Sequence, residues 1–532
     1  MAIITIISAA ASAFIVLAVY YGIINPGIIS PLAKIPAAHW SCHCAPLWIL
    51  AVRWNRRENR TLLEAHRRLG PVVRIGPKDI SIDGIDGLRI IYQGGFEKDP
   101  WYSVFSNYGI ENMFSTLSSR PHSLRKRAVS NVYSKSFIHT SHAAKAQTTA
   151  VVQDRLLPLL RAEPASSCAG VDVFPIFLAC AMDLIAAYVF GLAGGTDFVR
   201  RADERDPWLA LYLARAEHGF WPQELPGLTR VCRQWLGLSL YPRWVDRANA
   251  QLNTWNRTMC DEAQRRAQMA DAGAEDRDAA DEPVVLDAIN AWIDREARTA
   301  GEYSLLFTTS ISQRRDAVAS EVMDHLLAGQ ETAGIALTYA AWHLSRSSRL
   351  QDELRAELLT LHPSFSSPSL EKGSTVPDCK ALDALPLLHA VVMETLRLHA
   401  PIPGPEPRRT PPTGCRIAGF TIPGDVRVAC LAHTLHRDET AFPDPENWAP
   451  TRWLVEDVQK REMLRRFWAF GSGGRMCLGS NFAMNEMKYI LAAIYSHFRT
   501  FVVDDTGITQ EDAYTARPTG ESLTLRFEPV DS

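Results

Sequence analysis

The stretch Phe470-Gly471-Ser472-Gly473-Gly474-Arg475-Met476-Cys477-Leu478-Gly479 decides how the rest of the chain is read. Three glycines precede the cysteine and one follows two positions later, so the backbone is free to turn tightly and approach another group closely. Asn481 to Phe498 reads as an amphipathic helix directly after it. A cysteine near a helix N-terminus feels positive backbone dipoles, which favour the thiolate, and Arg475 adds a cation. The pattern predicts a place built to hold an anionic sulfur.

Several chemistries use one thiolate. Zinc wants three or four ligands at close spacing, and no second Cys or His lies near Cys477 in sequence. A cysteine nucleophile wants a histidine base, which sequence alone does not place. A haem iron needs a single axial protein ligand, and a thiolate there pushes electron density onto the metal.

Further motifs lie outward from the cysteine. Ala328-Gly329-Gln330-Glu331-Thr332 falls inside a long helical pattern, Asp316 to Ser347. A glycine inside a helix costs about 1 kcal/mol relative to alanine, so Gly329 is expected to let the helix open locally. Glu394 and Arg397 are three apart, which puts both on one helical face in apolar surroundings. Pro450-Thr451-Arg452-Trp453 supplies a second arginine. His122-Ser123-Leu124-Arg125-Lys126-Arg127 and Pro407-Arg408-Arg409-Thr410-Pro411 add basic groups.

Together these ordered motifs resemble the cytochrome P450 superfamily, and most of all its microsomal fungal members. The cysteine segment matches the pattern F-x-x-G-x-R-x-C-x-G at every specified position, and the resemblance covers residues 31–530. It implies a mainly α fold with small β-sheets and a haem b cofactor ligated by Cys477, with Phe470 covering the sulfur. Thr332 would hydrogen-bond the oxygen under activation, and Glu331 would relay protons. Glu394, Arg397 and Arg452 would form a structural triad that holds the cysteine loop. His122, Lys126, Arg408 and Arg475 would face the haem propionates. Here the family's basic helix position is Lys126, flanked by Arg125 and Arg127, so any of the three could meet a propionate; lysine cannot pair in bidentate fashion.

The implied reaction is insertion of one oxygen atom from O2 into a lipophilic small molecule in specialised metabolism, with NADPH electrons delivered by a cytochrome P450 reductase. Cytochrome b5 is a further partner of that class. Lys460, Arg461, Arg465 and Arg466 are expected at the docking face. The substrate pocket would draw on Tyr92 to Thr116, Trp208 to Trp244, Asp324 to Glu331, Ala400 to Pro405 and Thr515 to Glu521. The alternatives are a P450-like isomerase or dehydratase acting without a reductase, and a haem-binding sensor or carrier.

Composition agrees with one large folded enzyme. The 532 residues carry 56 Lys+Arg and 59 Asp+Glu, a net charge of −3, which gives no reason to expect nucleic acid binding. Ten cysteines are too sparse for a disulfide scaffold, and Cys42-His43-Cys44 is not read as a metal site. No charged side chain occurs from Met1 to Ala33. Ala2 to Ile24 is long enough to cross a hydrocarbon core of about 30 Å as a helix. A signal peptide would carry a basic n-region and a shorter apolar run. Asn25, Pro26, Pro31 and Pro36 are expected to end the helix and stiffen a hinge. Lys34, Arg53, Arg56, Arg57 and Arg60 then favour a cytosolic body. The expected order is a membrane anchor at 1–24, a Pro-containing hinge and basic segment at 25–60, and a haem domain at 61–532. The whole would sit in the endoplasmic reticulum membrane with one pass.

Overall fold

The computed structural model describes residues 2–162, 170–272, 278–365, 377–455 and 458–530. Helices dominate it, and the elements that position the site are labelled here in chain order. The apolar N-terminal helix α1 covers Ala2–Val19. It continues as a wider π-helix over Tyr20–Ile29, past the Asn25-Pro26 step that was expected to end it. Proline has no N–H to lose there, and the Ser30 N–H closes the last turn on the Asn25 carbonyl at 2.8 Å. The Pro-containing segment that follows lies against the body. Leu32 and Ile35 are buried, and the Arg74 and Ala38 amides bond the Pro36 and Arg74 carbonyls.

Strands β1 (Val72–Gly76) and β2 (Asp79–Ile82) form the hairpin that their β-branched residues and the Gly76-Pro77 turn predict. They belong to a five-stranded sheet with β3 (Glu97–Lys98), β4 (Arg408–Arg409) and β5 (Arg427–Ala429), ordered β1-β2-β5-β4-β3. Only the β2–β5 pair among these is parallel. The antiparallel β3–β4 register sets Lys98 opposite Arg408, so the sheet edge brings two cations together. Smaller sheets of three and two strands complete the β structure.

The helical core is built around two long elements. Helix α3 (Val173–Phe190) is apolar all round and nearly wholly buried, which is why its composition would also suit a membrane. Gly191, at φ +80°, ends it. Before it in the chain, α2 (Ser119–Val129) carries the basic motif with Pro121 in its first turn, and a further helix follows at Lys135–Thr140. Helix α4 covers Ala202–Ala216, and helix α5 is the long one, Arg314–Ser345.

α5 is unbroken, contrary to the expectation that Gly329 opens it. A Cβ at Gly329 would lie 2.8 Å from Ile185 of α3, and one at Gly334 would lie 2.6 Å from Leu178. The two glycines therefore serve close helix packing. Helix α6 (Pro386–Leu398) and helix α7 (Ser480–His497) pack on the other side of the core. The acidic Ala270–Glu282 stretch is helical to Ala272 and forms a 3-10 turn at Ala279–Asp281; residues 273–277 lie outside the described residues.

Candidate active site

The cysteine loop is a closed turn of backbone hydrogen bonds. The Gly471 N–H donates to the Trp468 carbonyl at 3.0 Å, and the Cys477 N–H donates to the Phe470 carbonyl at 2.8 Å. Phe470 thus meets the cysteine through its backbone. Gly473 sits at φ +70°, and a Cβ there would lie 2.3 Å from the Tyr92 carbonyl, so only glycine lets the loop approach the 89–93 turn. The Gly479 N–H at the start of α7 favours the anionic form of the sulfur.

Cys477 is accessible, yet burial is the largest influence on its thiol and pushes it up to about 11. The sulfur therefore lines a deep recess rather than the outer surface. The expectation that Arg475 favours the thiolate is corrected here. Its guanidinium is occupied by the Thr116 and Leu117 carbonyls, both at 2.7 Å, and by Glu97 at 3.3 Å. Among cations, Lys126 acts on the sulfur, and in the free protein burial outweighs it.

A group of cations gathers beside the loop. Burial and then Arg475, Lys98, Lys126 and Arg408 push His122 down to about 2, so it is neutral. Lys98 is held well below its ordinary value by burial and then by Arg408 and Arg475. Its Nζ donates to the Phe114 carbonyl and stands 4.2 Å over the Tyr102 ring. Arg408 is buried, donates to Tyr102 Oη at 3.0 Å and pairs with Glu406 at 3.3 Å. Of Arg125, Lys126 and Arg127 on α2, Lys126 faces the loop, reaching the Gly474 carbonyl at 3.1 Å. Arg125 turns away to Ser310 and Thr309, and Arg127 is exposed. Lys98, Lys126, Arg408 and Arg475 gather here against Glu97, Glu406 and Asp324. This cluster of basic side chains beside a cysteine fits a group that brings two carboxylates and takes a sulfur ligand. Lys98 and Glu406 carried no motif in the sequence; chain topology, through the β3–β4 register, creates their site.

Behind the loop, Glu394, Arg397 and Arg452 come together. Arg397 holds both Glu394 oxygens at 2.9 Å, and Arg452 Nε reaches Glu394 Oε1 at 2.9 Å. Trp453 Nε1 and the Ala449 N–H add donors to the same carboxylate, each at 2.9 Å. The guanidiniums spend their remaining donors on carbonyls of residues 436 to 447. Glu394 and Arg397 are fully buried, and no charge in this group is left unpaired.

On α5, Asp324, Ala328 and Thr332 form a partly open stripe at i, i+4 and i+8, whereas Met323, Leu326, Gln330 and Glu331 are buried. Thr332 Oγ1 donates to the Ala328 carbonyl at 2.7 Å. Glu331 does not meet Thr332. It accepts the Tyr212 hydroxyl of α4 at 2.6 Å, and Arg517 lies 3.7 Å from its other oxygen. Tyr212 and Arg517 fall inside the 208–244 and 515–521 stretches expected at the pocket, but no motif singles either residue out as a partner of Glu331. The expected docking residues are partly neutralised: Arg466 pairs with Asp438 and Glu462, and Arg465 with Glu462.

A mainly helical fold with an accessible cysteine in a glycine turn, set beside clustered cations, defines a haem-thiolate protein. The cytochrome P450 family profile matches residues 247–521, and the chain belongs to that family. It is 28% identical over 485 residues to the cytochrome P450 monooxygenase FGM1 of Gibberella zeae, covering 89% of this chain and 88% of the relative. Similar likenesses hold for hkm5 of Aspergillus hancockii (26%, over 84% and 81% of the two chains) and aflV of Aspergillus parasiticus (26%, over 89% and 86%), both named cytochrome P450 monooxygenases. The protein is an enzyme of this type, and membership implies a haem-thiolate iron.

Proposed function

We propose that this enzyme inserts one atom of O2 into a lipophilic small molecule of specialised metabolism, on a haem b ligated by Cys477. One observation carries the reading: the accessible Cys477 stands beside Lys126, and Lys126 belongs with Lys98, Arg408 and Arg475 to the basic cluster gathered around His122. The overall balance is RH + O2 + NADPH + H+ giving ROH + H2O + NADP+, with electrons passed through a flavoprotein reductase and cytochrome b5 as an auxiliary donor. The haem, when bound, supplies the redox chemistry that activates O2.

The chain's own residues do the rest. The Gly479 N–H and Lys126 favour the anionic form of the Cys477 sulfur, and a metal ion removes the burial penalty that holds the free thiol protonated. His122, Lys126, Arg408 and Arg475 bind and orient the propionates, with Lys98 as a further member of that set. Thr332 Oγ1 keeps its own proton on the Ala328 carbonyl and presents lone pairs to the open stripe, where it takes part in proton delivery. Glu331, which accepts the Tyr212 hydroxyl, serves as the relay for the protons that follow. Glu394, Arg397 and Arg452 hold the loop from behind.

Residues 1–24 form the membrane anchor, 25–60 the juxtamembrane segment and 61–532 the haem domain, placed on the cytosolic face of the endoplasmic reticulum. The exposed apolar α1 supports this. So do exposed Trp40, Trp54, Trp235 and Leu236, with Trp54 packed 5.1 Å from Phe220 and thereby joining the N-terminal segment to the 220–238 region. The reductase docks on the cysteine side, with Lys460 and Arg461 as candidate contacts.

The test is NADPH and O2 consumption by microsomes carrying the protein, with reductase added and substrates screened by spectral shift. Substrate-dependent consumption with an oxygenated product is expected. Turnover needing neither NADPH nor reductase would replace this reading with the isomerase or dehydratase one.

A further inference from the structure

His436 lies outside every motif above and is fully buried. It sits between the Glu394–Arg397 pair and the cysteine loop. Its Nδ1 is 2.8 Å from the Arg397 carbonyl. Its Nε2 is 2.8 Å from the Trp468 backbone nitrogen. A backbone N–H can only donate, so Nε2 must be an acceptor, and Nδ1 must carry the proton that the Arg397 carbonyl accepts. Arg397 answers with Nη1 on the His436 carbonyl at 3.0 Å. The imidazole lies nearly parallel to the Phe467 ring, 5.5 Å between centroids at 17°. Trp468 in turn accepts the Gly471 N–H, and Trp468 Nε1 reaches Ser472 Oγ at 3.2 Å.

We infer that His436 is a positioning residue, a neutral bridge with a single tautomer that transmits the rigidity of the Glu394–Arg397 pair to Trp468, where the chain turns into the cysteine loop. It rests on the reading of Cys477 as the iron ligand. Every bond in the path is to backbone at the loop end, so the bridge sets where Trp468 begins the turn and hence where the sulfur sits. The acceptor at Nε2 is the essential function, because without it the Trp468 N–H is left buried and unpaired. The groups facing the ring are Arg397, Arg437 and the Phe467 and Phe442 rings; burial, and then the two cations, keep it neutral.

Three substitutions separate bridging from packing. His436→Gln keeps an acceptor at the Nε2 position and loses the stacked ring. His436→Phe keeps the ring and loses both bonds. His436→Asn keeps a group near Nδ1 and falls short of Trp468. Full-length protein is reduced under carbon monoxide, and the fraction absorbing at the thiolate-ligated position is read against haem content and far-ultraviolet circular dichroism. The bridge predicts that Gln retains most of the thiolate band, whereas Phe and Asn convert most of it to the shorter-wavelength form while keeping haem. Phe retaining the band as well as wild type, or Gln losing it as fully as Phe, overturns the inference. A wild type without the thiolate band would instead refute the ligation by Cys477 on which it rests. If Phe fails to bind haem, the Gln-to-Asn ratio decides, and equal bands in those two overturn the bridge.

Discussion

The two sides of the recess are built differently. Behind the cysteine, Glu394 alone accepts from Arg397, Arg452, Trp453 and the Ala449 amide, and its partners spend their remaining donors on backbone carbonyls. The other side is α5, where Asp324 acts on the Cys477 sulfur, Thr332 is bonded only within its own helix and Glu331 is tied to Tyr212 by one hydrogen bond. The Glu394 group has its own polar atoms satisfied. The polar groups around Glu331 retain spare capacity. Glu331 Oε1, Arg517 Nε and both polar atoms of Gln330 are buried without a hydrogen bond.

That contrast predicts a graded series. Glu394→Ala strands two guanidiniums in the interior, and the expected loss is about 3–5 kcal/mol of stability. Chemical denaturation of the haem-loaded protein checks it, and a loss under about 1 kcal/mol would mean that the carboxylate is dispensable. Gly334→Ala places a methyl 2.6 Å from Leu178, with backbone atoms close behind, and should cost about 1–3 kcal/mol through overpacking of α3 on α5. Thr332→Ala should leave the fold and haem content unchanged. Product formed per NADPH should fall by about tenfold or more, with peroxide rising; unchanged coupling would remove Thr332 from proton delivery. Tyr212→Phe loses one hydrogen bond at a partly satisfied carboxylate, so the stability cost should be about 1 kcal/mol. Its coupling ratio should drop by less than that of Thr332→Ala, and a drop as large would make the Tyr212–Glu331 bond part of the proton route.

The same contrast explains what was legible in the sequence. The cysteine side uses residues close together in the chain and constrained in type, such as Phe470 to Gly479 and Glu394 with Arg397. Short patterns reveal it. The mainly α class was implied by the resemblance those patterns carry, and β-branched residues around a Gly-Pro turn mark the β1–β2 hairpin. What escaped reading depends on topology. Lys98 becomes a site residue because β3 lies beside β4. His436 matters because its ring falls between two elements far apart in sequence. The role given to Gly329 failed for a related reason. Its cost in an isolated helix suggested opening, but the neighbour at Ile185 explains the missing side chain. Arg475 was expected to act on the sulfur and is instead committed to Thr116, Leu117 and Glu97.

The most direct test of the account is the absorption spectrum of the reduced, carbon monoxide-bound protein, compared between wild type and Cys477→His. Wild type should show the red-shifted band of a thiolate-ligated haem. The variant should lose that band while its haem content shows that the cofactor is still held by the cation cluster. An unchanged thiolate band in Cys477→His would contradict the assignment of Cys477 as the iron ligand.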